Sequence, residues 1–291
     1  MIAGDLLFRR YFTVLYLIPA ILGGAMIAIV MRISEDHTSA KTPKLAISYF
    51  TSTLLAAIHM LTAGQSLIAR GSAAPIIIGS IGGVLYLSSF LLLELNVRKN
   101  GIVLSSTFMK LGLLVPLVMS LVFFNERPSL IQFGGVLLAV IAIVLINLKD
   151  QDNIIHWKIG LPLLLIINGS ADAISKVYEQ FGPASMSDQF LFYIFVVAAL
   201  LSGILTFVRH EKVGKADILF GALLGLPNFY AARITLKALE HIPASIFYPS
   251  CHVGTLMVVT LTGLLFFKEK LSKLQWAAVM LIFIAMILLN I

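Results

Sequence analysis

Apolar residues run along this chain in stretches of about 20, the length a helix needs to cross a bilayer, separated by short polar connections. Ten such runs lie near 14–33, 45–63, 73–94, 101–124 and 130–148, and then near 157–175, 189–208, 215–237, 243–267 and 274–290. A membrane strand would be about half as long and alternate in polarity, whereas these runs are long and mostly continuous. The pattern therefore predicts an all-α, polytopic membrane protein of ten transmembrane helices. Pro43, Pro75, Pro128, Pro183 and Pro243 fall in connections or first turns, where a missing N–H costs little. Pro19, Pro116, Pro227 and Pro249 lie inside runs and predict local breaks in the hydrogen-bond ladder. The first run lacks a small-residue cleavage site and reads as a retained span.

The pattern also repeats. FFNERPSLIQFGGVLLAVIAIVLI from Phe123 aligns with FFKEKLSKLQWAAVMLIFIAMILL from Phe266, with ten of 24 positions identical. Apolar bias alone can match Leu with Ile, but not Glu126 with Glu269, Ser129 with Ser272 and Gln132 with Gln275 at fixed spacing. The repeat divides the chain into two five-helix halves, 1–150 and 151–291. An odd number of helices per half puts the second half into the membrane from the opposite side, so the halves are expected to be inverted repeats. Such an arrangement suits a carrier that exposes a central site to each side in turn, and it also suits a duplicated scaffold.

Composition sharpens the class. Of the 291 residues, 59% are apolar and 12% charged, with a mean hydropathy of +0.98. A soluble domain is about 45–50% apolar and roughly a quarter charged. The formal charge of +7 sits mainly at the ends of apolar runs, which leaves no stripe for nucleic acid. A lone cysteine, Cys251, excludes an intrachain disulfide and a cysteine-rich metal site. HExxH, P-loop, GxSxG and dinucleotide motifs are absent, so the sequence implies neither an enzyme nor a cofactor. A channel is disfavoured by the five-plus-five repeat.

The repeated turn, with Glu126, Ser129, Gln132, Gly134 and Gly135 in one copy and Glu269, Ser272, Gln275, Ala277 and Ala278 in the other, resembles the drug/metabolite transporter superfamily, in particular its ten-helix EamA-type members. The second copy departs in having alanines for glycines. The resemblance covers nearly the whole chain. It implies a secondary transporter in the cytoplasmic (inner) membrane, with both termini cytosolic and a cavity between the halves, carrying amino acids, other metabolites, sugars, nucleotide-sugars or drugs. Charge bias points the other way on orientation. Connections on the side away from the termini carry 13 Lys and Arg against six on the terminal side, which would put the termini outside.

Polar residues inside the spans are the candidates for a site. Lys110 lies about nine residues into the fourth span, too deep to snorkel, and is expected to meet an anionic cargo or a carboxylate of another helix. Asn168, Asp172, Lys176 and Glu179 share one face of the sixth helix, where Asp172 either pairs locally with Lys176 or faces the cavity. On the eighth, Arg233, Lys237 and Glu240 form a stripe beside Tyr230, with Asn228 following Pro227. Arg233 offers a planar donor fork for a carboxylate or phosphate, or pairs with Glu240 or Asp172. Ser245, Tyr248, His252 and Thr255 line up on the ninth; His59 with Ser52 on the second and Tyr86 on the third complete the set. Gly79 and Gly83 form a small-residue patch, and Tyr178 and Tyr193 read as interface anchors.

The excess of Lys110 and Arg233 over Asp172 tilts the cargo toward a small polar metabolite bearing a carboxylate, an amino acid among them. Sugars, nucleotide-sugars and drugs are the alternatives within the same fold. The fifth and tenth spans hold almost nothing polar between Gln132 and Asn147 or between Gln275 and Asn290, so they are expected at the periphery, against lipid or a second copy of the chain in a homodimer.

Overall fold

A backbone surrounded by hydrocarbon has no water to bond, so each apolar run closes its hydrogen bonds within itself. The computed structural model accordingly consists of helices joined by short turns; it describes residues 2–35, 37–38, 41–68, 71, 73–147, 157–266, 268 and 271–291. The helices are α1 (Ile2–Glu35), α2 (Lys41–Thr62), α3 (Ala74–Asn100), α4 (Ile102–Lys110), α5 (Leu114–Val122), α6 (Leu130–Asn147), α7 (Gly160–Phe181), α8 (Ser187–Val208), α9 (Lys215–Leu239), α10 (Ala244–Leu265) and α11 (Lys273–Leu289). A single 3-10 turn, Leu111–Leu113, joins α4 to α5 into one helical segment, so the described residues form ten such segments. Eight are long and apolar enough to cross a membrane; Leu130–Ile146 and Lys273–Leu289 are shorter apolar helices.

Three elements exceed the sequence expectation by six residues or more. The first helix begins at Ile2 rather than near residue 14, the third runs to Asn100 rather than 94, and α7 runs to Phe181 rather than 175. In each case polar residues extend the helix beyond the apolar run, because helical hydrogen bonding does not stop where hydropathy does. The connection 148–156, which holds the expected boundary between the halves, lies outside the described residues, as do Arg70, Lys149, Glu269 and Lys270.

The chain forms two compact units, each drawing on both halves of the sequence. One comprises Met1–Leu17, Ser88–Ala173 and His241–Ile291. In it α6 packs along α11 through small residues, Ala139 and Ala142 against Ala278 and Ala285, with Ile143 and Ile282 filling the remaining space. Close approach of small residues lets dispersion hold helices together where lipid removes the hydrophobic drive. Each of these helices starts with the same device. The backbone N–H of Ser129 donates to Gln132 Oε1 (2.9 Å) and that of Gln132 to Ser129 Oγ (3.2 Å); Ser272 and Gln275 repeat the exchange at 3.0 and 3.3 Å. The repeated Ser and Gln are thus reciprocal helix caps. Glu126 performs a longer-range version, accepting from the N–H groups of Ala244 (3.0 Å) and Ser245 (2.9 Å) at the start of α10. Asn96 and Asn100, both buried, clamp the end of α3 to the start of α7: Asn96 donates to Gly160 O (2.9 Å), and Asn100 both donates to Trp157 O (3.0 Å) and accepts from its N–H (2.8 Å).

The other unit comprises Ile18–Leu87 and Ile174–Glu240. Here α2 packs on α8 and α9 around Tyr49, Phe190, Phe195, Phe229 and Leu236. The glycine patch on α3 works as its spacing suggests: a Cβ on Gly83 would fall 2.6 Å from Ile194 O of α8, and one on Gly79 2.9 Å from Phe190 O. Tyr178, expected as an interface anchor, is instead 1% exposed, stacked on Phe190 at 4.1 Å with its hydroxyl donating to Pro183 O. Lys44, whose place near a span end reads as a headgroup anchor, is buried and donates to Ser34 Oγ.

Candidate functional site

The fourth span is broken where its charge lies. Pro116 removes the N–H that an α-helix would offer to Gly112 O, and the backbone tightens into the 3-10 turn Leu111–Leu113 directly after Lys110. At this break α7 comes very near: a Cβ on Gly169 would lie 2.3 Å from Gly112 O. The absence of side chains on both glycines lets Asn168 reach across, and its Nδ2 donates to Met109 O at 3.0 Å while its Oδ1 accepts from Ser89 Oγ at 2.7 Å.

One turn along α7, Asp172 faces His252 of α10, with Oδ2 3.4 Å from Nε2. The Tyr248 hydroxyl donates to the Asp172 carbonyl at 2.7 Å, fixing α10 against α7 at that level. Asn168 Nδ2 approaches the same carboxylate at 3.5 Å. Asp172 is also the carboxylate within electrostatic reach of Lys110. No hydrogen bond or ion pair closes on the Lys110 ammonium among the described residues. Five of the residues singled out from sequence, Lys110, Asn168, Asp172, Tyr248 and His252, are therefore brought together in one unit, all but Tyr248 well inside their helical segments. The expected local partner of Asp172 is engaged elsewhere: Lys176 reaches Glu179 at 2.7 Å, while Asp172 turns to α10.

Arg233 belongs to the other unit. Its Nε donates to Asp188 Oδ1 at 3.1 Å, in place of the expected Glu240 or Asp172. Asp188, in the first turn of α8, also has His59 Nδ1 of α2 at 3.5 Å and Gln65 Nε2 at 3.5 Å from its other oxygen. Arg233 and Gln65 bond this one carboxylate and His59 lies beside it, which ties α9 and the end of α2 to the start of α8. Beside it opens a cavity of about 340 Å³ lined by Gln65, Ser187, Asp188, Arg233, Lys237 and Glu240. The stripe Arg233, Lys237 and Glu240 does share one wall, as its helical spacing implies. Asp188 and Gln65 were not singled out from sequence; an Asp at a helix start reads as a favourable N-terminal charge, and that signal hides its long-range partners.

The remaining candidates are dispersed. Tyr86 lies among aromatic rings, 6.3 Å from Tyr49 and 6.5 Å from Phe195 between centroids. Tyr230 is exposed and meets Phe229 edge-on, and Asn228 is half-buried. Ser52, paired with His59 in the sequence reading, donates to Gly225 O at 3.0 Å and joins α2 to α9. Among the described residues, no group of three His, Cys, Asp or Glu side chains is placed to hold a metal ion.

Comparison with known proteins bears on the fold and the family. Residues 160–291 match the model of the EamA-like transporter family. A protein of Haemophilus influenzae (strain ATCC 51907 / DSM 11121 / KW20 / Rd), named only as uncharacterized, is 25% identical over 274 residues, covering 90% of this chain and 93% of its own. A crystal structure, described only as that of a protein, superposes with a TM-score of 0.76 over 94% of both chains at 14% identity, a likeness of fold alone.

Proposed function

We propose that this chain, a multi-pass membrane protein with an EamA-like domain over residues 160–291 and a ten-span fold of the drug/metabolite transporter type, is a secondary transporter of small carboxylate-bearing metabolites, amino acids included, working by alternating access in the cytoplasmic (inner) membrane. The observation that carries the cargo class is the open Lys110 ammonium. A charge at mid-membrane depth costs several kcal/mol unless it is paired or wet, and this one has a carboxylate nearby but none bonded to it. A carboxylate cargo supplies the missing acceptor. In the other unit Asp188 and Glu240 line the cavity beside Arg233 and Lys237, so its charges balance and the cargo class rests on Lys110. The FFNERPSLIQFGG repeat extends the family likeness from the matched half to the first half, and supports two inverted five-helix repeats, 1–150 and 151–291. The outward faces of α6 and α11, where Leu137, Ile141, Phe283 and Ile287 are exposed, offer a surface to lipid or to a second copy in a homodimer.

Ligand-induced thermal stabilisation of the purified protein by acetate, L-lactate and L-glutamate, with acetamide as the uncharged control, followed by counterflow of the best binder in liposomes, tests the reading. Lys110→Met is expected to weaken carboxylate binding roughly 10- to 100-fold, the value of one charge-assisted hydrogen bond, and to leave insertion intact. A sugar or drug carrier would instead respond to uncharged ligands and show no charge-selective effect of Lys110→Met. A scaffold would show no counterflow of any compound.

A further inference from the structure

The cluster that holds Lys110 contains two basic side chains and one carboxylate. With imidazole neutral, Lys110 and Asp172 balance each other and His252 is a spectator beside the carboxylate, its Nε2 3.4 Å from Oδ2. A cargo carboxylate arriving at Lys110 adds a second negative charge at a depth where net charge is expensive. The cheapest correction is a proton on His252, which lies next to Asp172 and belongs to the one side-chain class whose ordinary titration falls between about pH 5 and 8.

We infer that one proton binds at His252 with each carboxylate, so that this chain cotransports a proton with its anionic cargo. The inference deepens the carrier reading above and rests on it. The other groups around the Asp172–His252 contact do not supply the charge. On α4 there is Lys110, already cationic; on α7, Asp172 and the neutral amide of Asn168; on its own helix, Tyr248, whose hydroxyl is committed to the Asp172 carbonyl, and Cys251. The elements packed on α10 within this unit, α5, α6 and α11, bring no titratable side chain to this level. The side chains of Asp172 and His252 are 32% and 20% exposed, so neither is sealed within its unit. The step is balanced: one proton and one carboxylate enter together and leave together, and no net charge moves for a cargo of charge −1.

Linkage makes the consequences measurable in both directions, since a carboxylate that raises proton affinity at His252 must bind more tightly when the proton is present. Binding of L-lactate and L-glutamate to the purified chain, measured between about pH 5.5 and 8, is expected to weaken with rising pH toward about tenfold per pH unit. Calorimetry in two buffers of different ionisation enthalpy is expected to count close to one proton taken up per anion. His252→Gln is expected to bind weakly at all pH values, and His252→Arg, which fixes the charge, to bind tightly at all of them; the pair keeps the test informative if either variant is poorly folded. In liposomes, an inward proton gradient is expected to accumulate L-glutamate and a valinomycin-set potential is not. Carboxylate binding that is flat with pH in the unmodified chain, or a His252→Gln chain that keeps the slope, overturns the proton and leaves the carrier reading standing. Stabilisation by none of the carboxylates at any pH overturns both.

Discussion

Replacing Glu126 by Ala removes a carboxylate that accepts two backbone N–H groups at once, from Ala244 at 3.0 Å and Ser245 at 2.9 Å. These belong to the first turn of α10, whose initial N–H groups have no partner inside the helix. Hydrogen bonds to an ionised group are each worth about 1.5–3 kcal/mol, and a negative charge at a helix N-terminus adds about 0.3–1 kcal/mol. Glu126 is only half-buried, so water replaces part of the loss, and the expected destabilisation is about 2–4 kcal/mol. Glu126→Gln keeps one oxygen acceptor without the charge and should lose about half as much. Gln132→Ala, which removes one arm of an exposed capping pair, should cost about 0.5–1.5 kcal/mol. Unfolding of the purified protein in mixed micelles of increasing SDS fraction gives the three values on one scale. A Glu126→Ala chain no less stable than Gln132→Ala, or a Gln variant indistinguishable from the parent, would refute the carboxylate cap.

Two further changes probe the other unit and the glycine contacts. Asp188→Asn should cost about 1–3 kcal/mol, less than a fully buried pair because Asp188 and Arg233 retain 15% and 26% side-chain exposure. Adding Arg233→Gln should recover part of that loss, and strictly additive losses would show that the two do not act as a pair. Gly83→Ala should destabilise by about 1–3 kcal/mol, since its Cβ would fall 2.6 Å from the Ile194 carbonyl, a backbone atom that cannot step aside cheaply. Gly134→Ala, which meets nothing within 4 Å and reproduces the Ala277 of the second copy, should be neutral or stabilising by about 0.5–1 kcal/mol. Equal stability changes for the two glycines, measured by the same SDS titration, would sink the close-approach argument.

What was legible in the sequence was what depends on near neighbours. Hydropathy located the spans because the bilayer imposes a length, and the Ser129/Gln132 and Ser272/Gln275 spacing carried the caps because a capping pair is closed within four residues. Lys110, Asp172 and His252 stood out one at a time, since a charged or polar ring at mid-span is visible in a single helix. Their meeting was not legible, because it depends on how α4, α7 and α10 are rotated and staggered, and that is set by contacts such as Gly112 with Gly169. The same gap explains the misassigned partners. Local rules favoured Asp172 with Lys176 at a four-residue step, but α10 offers Asp172 a partner across the helix interface, and Lys176 goes to Glu179 instead. Asp188 was missed for the converse reason: its helix-start position already gives it a sufficient local explanation, and only packing brings Arg233 and His59 to it.

Polar groups in the two units fall into two kinds, those whose bonds close within the protein and those left open. Glu126, Asn96, Asn100 and Asn168 end on backbone atoms of another segment, and each such bond removes a group that hydrocarbon would penalise. Their chemistry is used up in holding helices together, so no ligand is needed to complete them. Lys110 differs: among the described residues its ammonium has no bonded partner, although the backbone breaks beside it and a carboxylate lies within reach. A group so placed destabilises the empty protein unless something completes it, and the same gap becomes binding energy for a ligand of matching charge. Lys110→Met should therefore cost the empty protein well under the roughly 3–5 kcal/mol of a broken buried ion pair while weakening carboxylate binding. If the replacement destabilises the empty protein by the roughly 3–5 kcal/mol of a broken buried ion pair, Lys110 is a structural partner of Asp172 and the cargo assignment falls with it.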